Sequence, residues 1–422
     1  MLTKNNFLIS LSSYFFYLIP LALLTGPFLP DLIISTLVII FIYISIISKQ
    51  KKYFINKFFY FYFIFCAYLI ICSLFSKYII FSLESSLFYF RFGIFALATW
   101  FLIDNKKNFI KEFTIVLTIT FIVVIFDGYF QYLNGQSIFG ISNISPSRLN
   151  LLLDDKKILG GYLARLFPLL IGLLIYSLSS KLRNYFFIGL LLILTDTLVY
   201  ISGERTALGL LLLSTILIIF LISKYKYLRI ITLFISISII LIISFLNPDI
   251  KERNIDKTIN ELGLNPSSQK LNLYSPIHEN MILGAYKIFL DHKLIGSGPN
   301  TFRKLCGHER YNVNNMTCST HPHNIYVQLA AETGIIGLSI IIVLFLFIVY
   351  QILKHLILTL FTKKGNLSDY QICLFAAVFL TLFPFLPSNN FFNNWINIVY
   401  FLPVGFLLHS FQKNDLKKKS SA

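Results

Sequence analysis

The sequence predicts an all-α fold: a polytopic transmembrane helical bundle of about twelve spans with one large, partly helical outer loop. Three observations support this. The 422-residue chain is 56% hydrophobic and 13% charged, against about 25% charged in ordinary soluble domains. Apolar runs of about 20 residues, the length that crosses a bilayer, recur along it. Lysine and arginine concentrate in alternate short loops. A net charge of +17 would point to nucleic acid in a soluble protein. Here positive-inside loop bias accounts for it, and no nucleic-acid partner is expected.

The apolar runs place spans at 8–25, 29–48, 58–76, 86–103, 114–133, 159–179, 185–201, 205–222, 230–247, 334–353, 370–387 and 395–412. The N-terminus carries one lysine and no small-residue cleavage site, so it reads as a retained first span and not a signal peptide. One set of loops holds Lys49, Lys51, Lys52 and Lys57, then Lys106, Lys107 and Lys111. It continues through Lys181 and Arg183, through Lys224, Lys226 and Arg229, and through Lys354, Lys363 and Lys364 to a lysine tail. That set is expected to be cytoplasmic, with both termini inside. The chain then divides into an N-terminal bundle (1–246), a large outward-facing loop (247–333), and C-terminal helices with a cytoplasmic tail (334–422).

Ionisable side chains inside spans are costly and mark function by default. Arg91 and Arg165 each lie some six residues into a span from its outer end, or about 9 Å at 1.5 Å per residue. Arg205 opens the eighth span at the outer surface, and Asp127 and Asp196 lie toward the outer ends of theirs. Two readings compete. Spans can pair their charges, for example Arg91 with Asp127, or the shared depth can serve an anionic ligand. Arginine suits the second, because its planar fork binds phosphate oxygens bidentately.

Within the outer loop, Ile277, Met281, Ile282, Ala285, Ile288 and Phe289 recur at helical spacing, with His278, Glu279, Lys287 and Asp291 opposite. This predicts an amphipathic helix on the membrane or the bundle. Cys306 and Cys318, twelve positions apart in an oxidising compartment, are expected to pair. Thr320 is a plausible N-cap with Pro322 in the first turn, which puts His323 at a helix start. The positive end of a helix disfavours imidazolium, so His323 would be neutral and able to accept a proton. Alternatively it is a capping or packing histidine. His321 and His323 are poorly spaced for one helical face and lack a carboxylate partner, so no metal site is expected.

Gly296-Ser-Gly-Pro-Asn-Thr-Phe-Arg303, then His-Pro-His-Asn324 and Ala-Glu-Thr-Gly-Ile-Ile-Gly337, resembles the signature region of the O-antigen ligase and polymerase superfamily. There a His-Asn pair precedes Gly-x-x-Gly, as His323-Asn324 precedes Gly334 and Gly337 here. Ser202-Gly-Glu-Arg-Thr206 resembles the family's arginine at the start of an outward-facing span. The segments from Asp127 and from Leu159 to Pro168 are also similar. Glu204 beside Arg205 departs from the pattern.

The resemblance implies a membrane glycosyltransferase of lipopolysaccharide biosynthesis in the bacterial inner membrane, with the large loop periplasmic, whose donor is a glycan on a polyprenyl pyrophosphate. His323 would be the catalytic base. Arg205, Arg303, Arg165 and Arg91 would bind the pyrophosphate, with His321, Asn324 and Glu332 supporting the site. No cofactor or metal is implied. The acceptor would be lipid A-core for a ligase, a second lipid-linked glycan for a polymerase, or a protein hydroxyl. The overall resemblance favours the ligase. A lipid-linked sugar transporter or flippase is the competitor from another class. It would explain the spans and arginines but not the histidine.

Overall fold

A computed structural model describes residues 2–142, 147–152, 156–179, 181–266, 268, 271–314 and 316–420, with side chains from Asn5 to Gln412 within these. Among the described residues the structure is helical, with one isolated β-bridge between Gln136 and Ser142.

The helices are α1 (Leu2–Ala22), α2 (Phe28–Ile47), α3 (Lys57–Leu74), α4 (Ile79–Ser86), α5 (Phe90–Asn105), α6 (Phe109–Asn134), α7 (Leu159–Ser177), α8 (Leu182–Ile201), α9 (Arg205–Leu221), α10 (Lys226–Leu246), α11 (Pro248–Lys251), α12 (Lys257–Glu261), α13 (Pro276–Asp291), α14 (Phe302–Leu305), α15 (Ile325–Thr362), α16 (Asp369–Thr381) and α17 (Asn394–Ser420). Ten helical segments among the described residues are long and apolar enough to cross a membrane. α9 and α16 are shorter apolar helices. They lie at the twelve expected positions, and ten of them among the described residues reach spanning length. The chain is a multi-pass helical membrane protein.

Three boundaries differ from the sequence expectation. The fourth span, expected at 86–103, is α4 and α5 separated by a tight turn, where the Tyr89 carbonyl accepts the Tyr62 hydroxyl at 2.7 Å. The tenth span, expected at 334–353, belongs to a helix running from Ile325 to Thr362 and broken at Gly334. Lys354 and His355 stay inside it. His355 is buried, and its Nδ1 accepts the Leu367 N–H at 3.1 Å. The eleventh span, expected at 370–387, stops at Thr381. Pro384 and Pro387 follow, and proline cannot continue the backbone ladder. The freed segment 382–393 becomes a wall of the site below.

The buried charges are partnered differently from the expectation. Arg91 pairs with Asp31 (2.8 Å) and not with Asp127. Asp127 accepts Gln131 Nε2 at 2.6 Å and the Ile138 N–H at 2.8 Å. Gln131 in turn exchanges two hydrogen bonds with the Asn150 backbone. The i, i+4 pair therefore grips the segment after α6. Arg229, assigned by sequence to a loop, lies inside α10 and is 2% exposed. It holds Asp196 bidentately at 2.6 and 3.0 Å, and Ser236 also donates to that carboxylate. Asp196 thus belongs to a structural pair, and the idea that all buried charges share one depth fails for it. Removing either partner would strand a buried charge, the costly case.

The interhelical loops sort to two ends. At one, Lys52 pairs with Asp104, and Asp369 accepts the Ser223 and Lys224 N–H groups. At the other, the segments around residues 76, 204, 250–324 and 382–393 meet one another.

Candidate functional site

The site is organised by the start of α15. Asn324, not Thr320, is the N-cap: its Oδ1 accepts the N–H groups of Tyr326 (3.0 Å) and Val327 (3.1 Å). The physical reason is at His323, whose φ of 56° is left-handed and cannot propagate a right-handed helix. His323 therefore precedes the helix instead of lying in its first turn. Thr320 hydrogen-bonds His321 Nδ1 instead (2.9 Å). Asn324 Nδ2 donates to the Tyr274 hydroxyl and the Pro384 carbonyl, both at 2.9 Å. The His323 carbonyl accepts the Ser388 N–H at 2.8 Å. Asn324 thus ties the helix start to the outer loop and to segment 382–393.

His321 is buried and both its nitrogens are engaged, Nδ1 with Thr320 and Nε2 with the Ser388 carbonyl at 3.1 Å. A carbonyl only accepts, so Nε2 carries the proton and Nδ1 accepts the hydroxyl. Burial, with the charges of Arg303 and His278 nearby, lowers its pKa to about 4. The half-buried His323 ring has no hydrogen bond among the described residues. It lies between His321 (4.1 Å between centroids) and His278 (4.8 Å). Burial, then His321 and His278, push its pKa down to about 3. The neutral state expected from a helix N-terminus is thus favoured mainly by desolvation.

His278 was placed by sequence on the outward face of α13 and is found facing His323. The signal was available: His278, Met281 and Ala285 follow i, i+3, i+7, and Met281 and Ala285 are buried. Ile277, on the apolar stripe expected to face the membrane or the bundle, is 49% exposed. Burial and the neighbouring Arg205 lower the His278 pKa, and Glu261 opposes this.

Arg205 starts α9 and pairs with Glu261 at 2.8 Å. Arg253 and Arg148, both overlooked in the sequence, stand nearby. Burial, Arg148 and Arg205 together pull Arg253 below its usual pKa. Arg253 donates to the Gly203 carbonyl, and Arg148 to that of Lys157. Glu204 turns away from Arg205. Its two oxygens accept the Gly160 (2.6 Å) and Gly161 (3.1 Å) N–H groups and so cap α7. Burial raises its pKa to about 7 although those N–H groups, Arg148 and Arg165 pull the other way. Arg165, nearly two turns into α7, contacts the Gly161 carbonyl and Tyr400. Arg303 is exposed on α14 and has no ion pair or hydrogen bond among the described residues, while its charge reaches His321. Arg91 is committed to Asp31, and no described contact joins it to the histidines.

Glu332 is fully buried. It accepts the N–H groups of Asn300 (3.0 Å) and Phe302 (2.9 Å) and Gln328 Nε2 (3.0 Å). It therefore holds the turn that carries Arg303. The break at Gly334 releases carbonyls from the helix ladder, and the Gly296-Ser-Gly turn takes them. Ser297 N–H bonds the Ala331 carbonyl, Gly298 N–H that of Glu332, and the Tyr68 hydroxyl that of Thr333. A Cβ on Gly296 would lie 2.2 Å from the Glu332 backbone. The two glycine motifs are one interlock.

A disulfide joins Cys306 to Cys318, with Cα atoms 5.1 Å apart, at the edge of a small core that includes Met281, Ile288, Phe302 and Ala331. Closing this loop stabilises by about 3 kcal/mol. Alkylation of the unreduced protein followed by intact-mass analysis should leave both thiols unmodified. Two added alkyl groups at these positions would contradict the bond.

No group of three or more metal-ligating side chains occurs among the described residues. No curated protein matches the chain. The family described as O-Antigen ligase matches residues 188–342. That stretch spans α8 to the first turns beyond the Gly334 break and contains Arg205, His278, Arg303, His323 and Glu332. Residues 188–342 thus resemble the O-antigen ligase family, the same superfamily that the sequence motifs point to.

Proposed function

We propose that this protein moves a glycan from a polyprenyl pyrophosphate to an acceptor hydroxyl at the outer face of the bacterial inner membrane, as an O-antigen ligase with lipid A-core as acceptor. The observation that supports it best is a half-buried, neutral His323 whose ring nitrogens are unengaged among the described residues, set between His278, which the charge of Arg205 reaches, and His321, which the charge of Arg303 reaches. In this reading His323 takes the acceptor proton as the glycan anomeric carbon bonds the acceptor oxygen and releases polyprenyl pyrophosphate. Arg205 and Arg303 hold the diphosphate and stabilise the leaving charge. Arg165 helps shape that region beside Glu204, and Arg91, committed to Asp31, contributes field and packing.

Arg303 is free to meet a phosphate among the described residues, whereas Arg205 must exchange Glu261 for it. Arg205→Lys and Arg303→Lys keep the charge and lose the fork. Each should cost about tenfold or more in kcat/KM for the donor. Normal turnover in both variants would remove this role.

The sidedness of the reading is tested separately. A single cysteine at position 274 should label in intact cells, and labelling only after permeabilisation would reverse it. The acceptor is tested by offering the purified protein lipid-linked glycan with and without lipid A-core. The ligase makes lipid A-core bearing the glycan. A polymerase would lengthen the lipid-linked glycan in the absence of lipid A-core.

A further inference from the structure

A cavity of about 710 Å³ opens at the opposite end of the bundle from the histidines, between the ends of α5, α6, α7 and α17. Its lining has two characters. Ile103, Ile110 and Tyr176 give it an apolar wall, and Lys106, Lys107 and Lys111 give it three cations. None of these lysines has a carboxylate partner among the described residues. Asp104 also lines the cavity but is engaged by Lys52 and the Tyr53 hydroxyl, with His409 at 3.7 Å, and nearby Glu112 accepts the Tyr17 hydroxyl. α6 also begins here without a side-chain cap, so the positive end of its dipole adds to the lysines. The rim coincides with the ends of membrane-crossing helices, where a lipid headgroup meets water.

We propose that this cavity is a binding site for the phosphate headgroup of an anionic phospholipid, whose acyl chains run down the apolar wall. Three unneutralised lysines beside an uncapped helix start favour a phosphodiester of net negative charge over a zwitterionic headgroup. The apolar wall favours a lipid over free phosphate. This inference is independent of the glycosyl-transfer reading, because it involves none of those residues.

The test uses the full-length protein in neutral detergent, titrated with phosphatidylglycerol, phosphatidylcholine or inorganic phosphate. Lipid adducts are counted by native mass spectrometry and Tm is followed in parallel. Phosphatidylglycerol should bind with saturation and raise Tm, while phosphatidylcholine and inorganic phosphate do neither. A Lys106→Gln/Lys107→Gln/Lys111→Gln variant should lose about tenfold or more in phosphatidylglycerol affinity. A Lys49→Gln/Lys51→Gln/Lys363→Gln variant, with equal charge loss, should retain it. Equal binding of phosphatidylcholine, an equal effect of free phosphate, or equal loss in the second variant would overturn the site. Should the first variant fold poorly, the three-way comparison on the unmodified protein still decides the question.

Discussion

His323→Ala is expected to lower glycan transfer by about 10²–10⁴-fold, the range for loss of a general base, while folding and donor binding stay near normal. The ring makes no described hydrogen bond, and the backbone carbonyl that bonds Ser388 survives the substitution. His321→Ala should behave in the opposite way. It removes the His321 bonds to Thr320 and Ser388, so the defect should appear as a stability loss of about 1–3 kcal/mol rather than in the chemical step. The pH dependence separates free from loaded protein. Burial holds His323 near a pKa of about 3 in the free protein, so the base is already neutral and kcat/KM should stay flat from about pH 5 to 8. A bound pyrophosphate favours imidazolium, so the acid limb of kcat should lie at higher pH than that of kcat/KM. Stability runs with the same sign. Unfolding returns His321 and His323 to about 6.5, so the unfolded chain binds protons first, and stability falls as pH drops from there toward the folded values of about 4 and 3. Near-wild-type transfer by His323→Ala would leave His323 a packing residue.

Gly334→Ala is expected to damage both stability and transfer. Gly334 has φ 66° and ψ −170°, a region essentially reserved for glycine. The added Cβ would also stand 2.2 Å from the Leu294 carbonyl oxygen, which is backbone and cannot swing away. Strain of about 1–3 kcal/mol from the dihedrals alone, plus the forced separation of the two strands of chain, should lower Tm by several degrees. The same movement would loosen Ser297 and Gly298 from the released carbonyls and displace Arg303 relative to His323. A Gly334→Ala protein that melts and transfers like the parent would show that the interlock does not position the site.

The spans were legible because hydropathy over about 20 residues is a local property, and the lysine loops mark their ends. Helix ends were less so. His355 and Lys354 looked like loop residues, but His355 is buried against the Leu367 backbone, a contact only the folded chain reveals. At the site, the His323-Asn324 and glycine motifs located the chemistry, yet the N-cap was misplaced by four residues. The left-handed turn at His323 depends on segment 382–393, distant in sequence. His278 could have been found from its own helical stripe. Arg148 and Arg253 could not, since they lie outside the spans that marked the other arginines. The partners of Arg91 and Arg205, Asp31 and Glu261, were equally hidden, because each lies more than 50 positions away. Glu204 read as a neighbour of Arg205, and only the meeting of α7 with α9 shows it as a cap.

The most direct measurement is a single-turnover reaction of the purified protein in detergent, with no sealed membrane, using polyprenyl-pyrophosphate-linked glycan and lipid A-core. Transfer predicts release of polyprenyl pyrophosphate in step with appearance of glycan on lipid A-core, and loss of both in His323→Ala protein that still binds the donor. An intact donor here, together with movement of that donor across the bilayer of sealed vesicles containing the protein, would contradict the enzymatic account and make the protein a transporter.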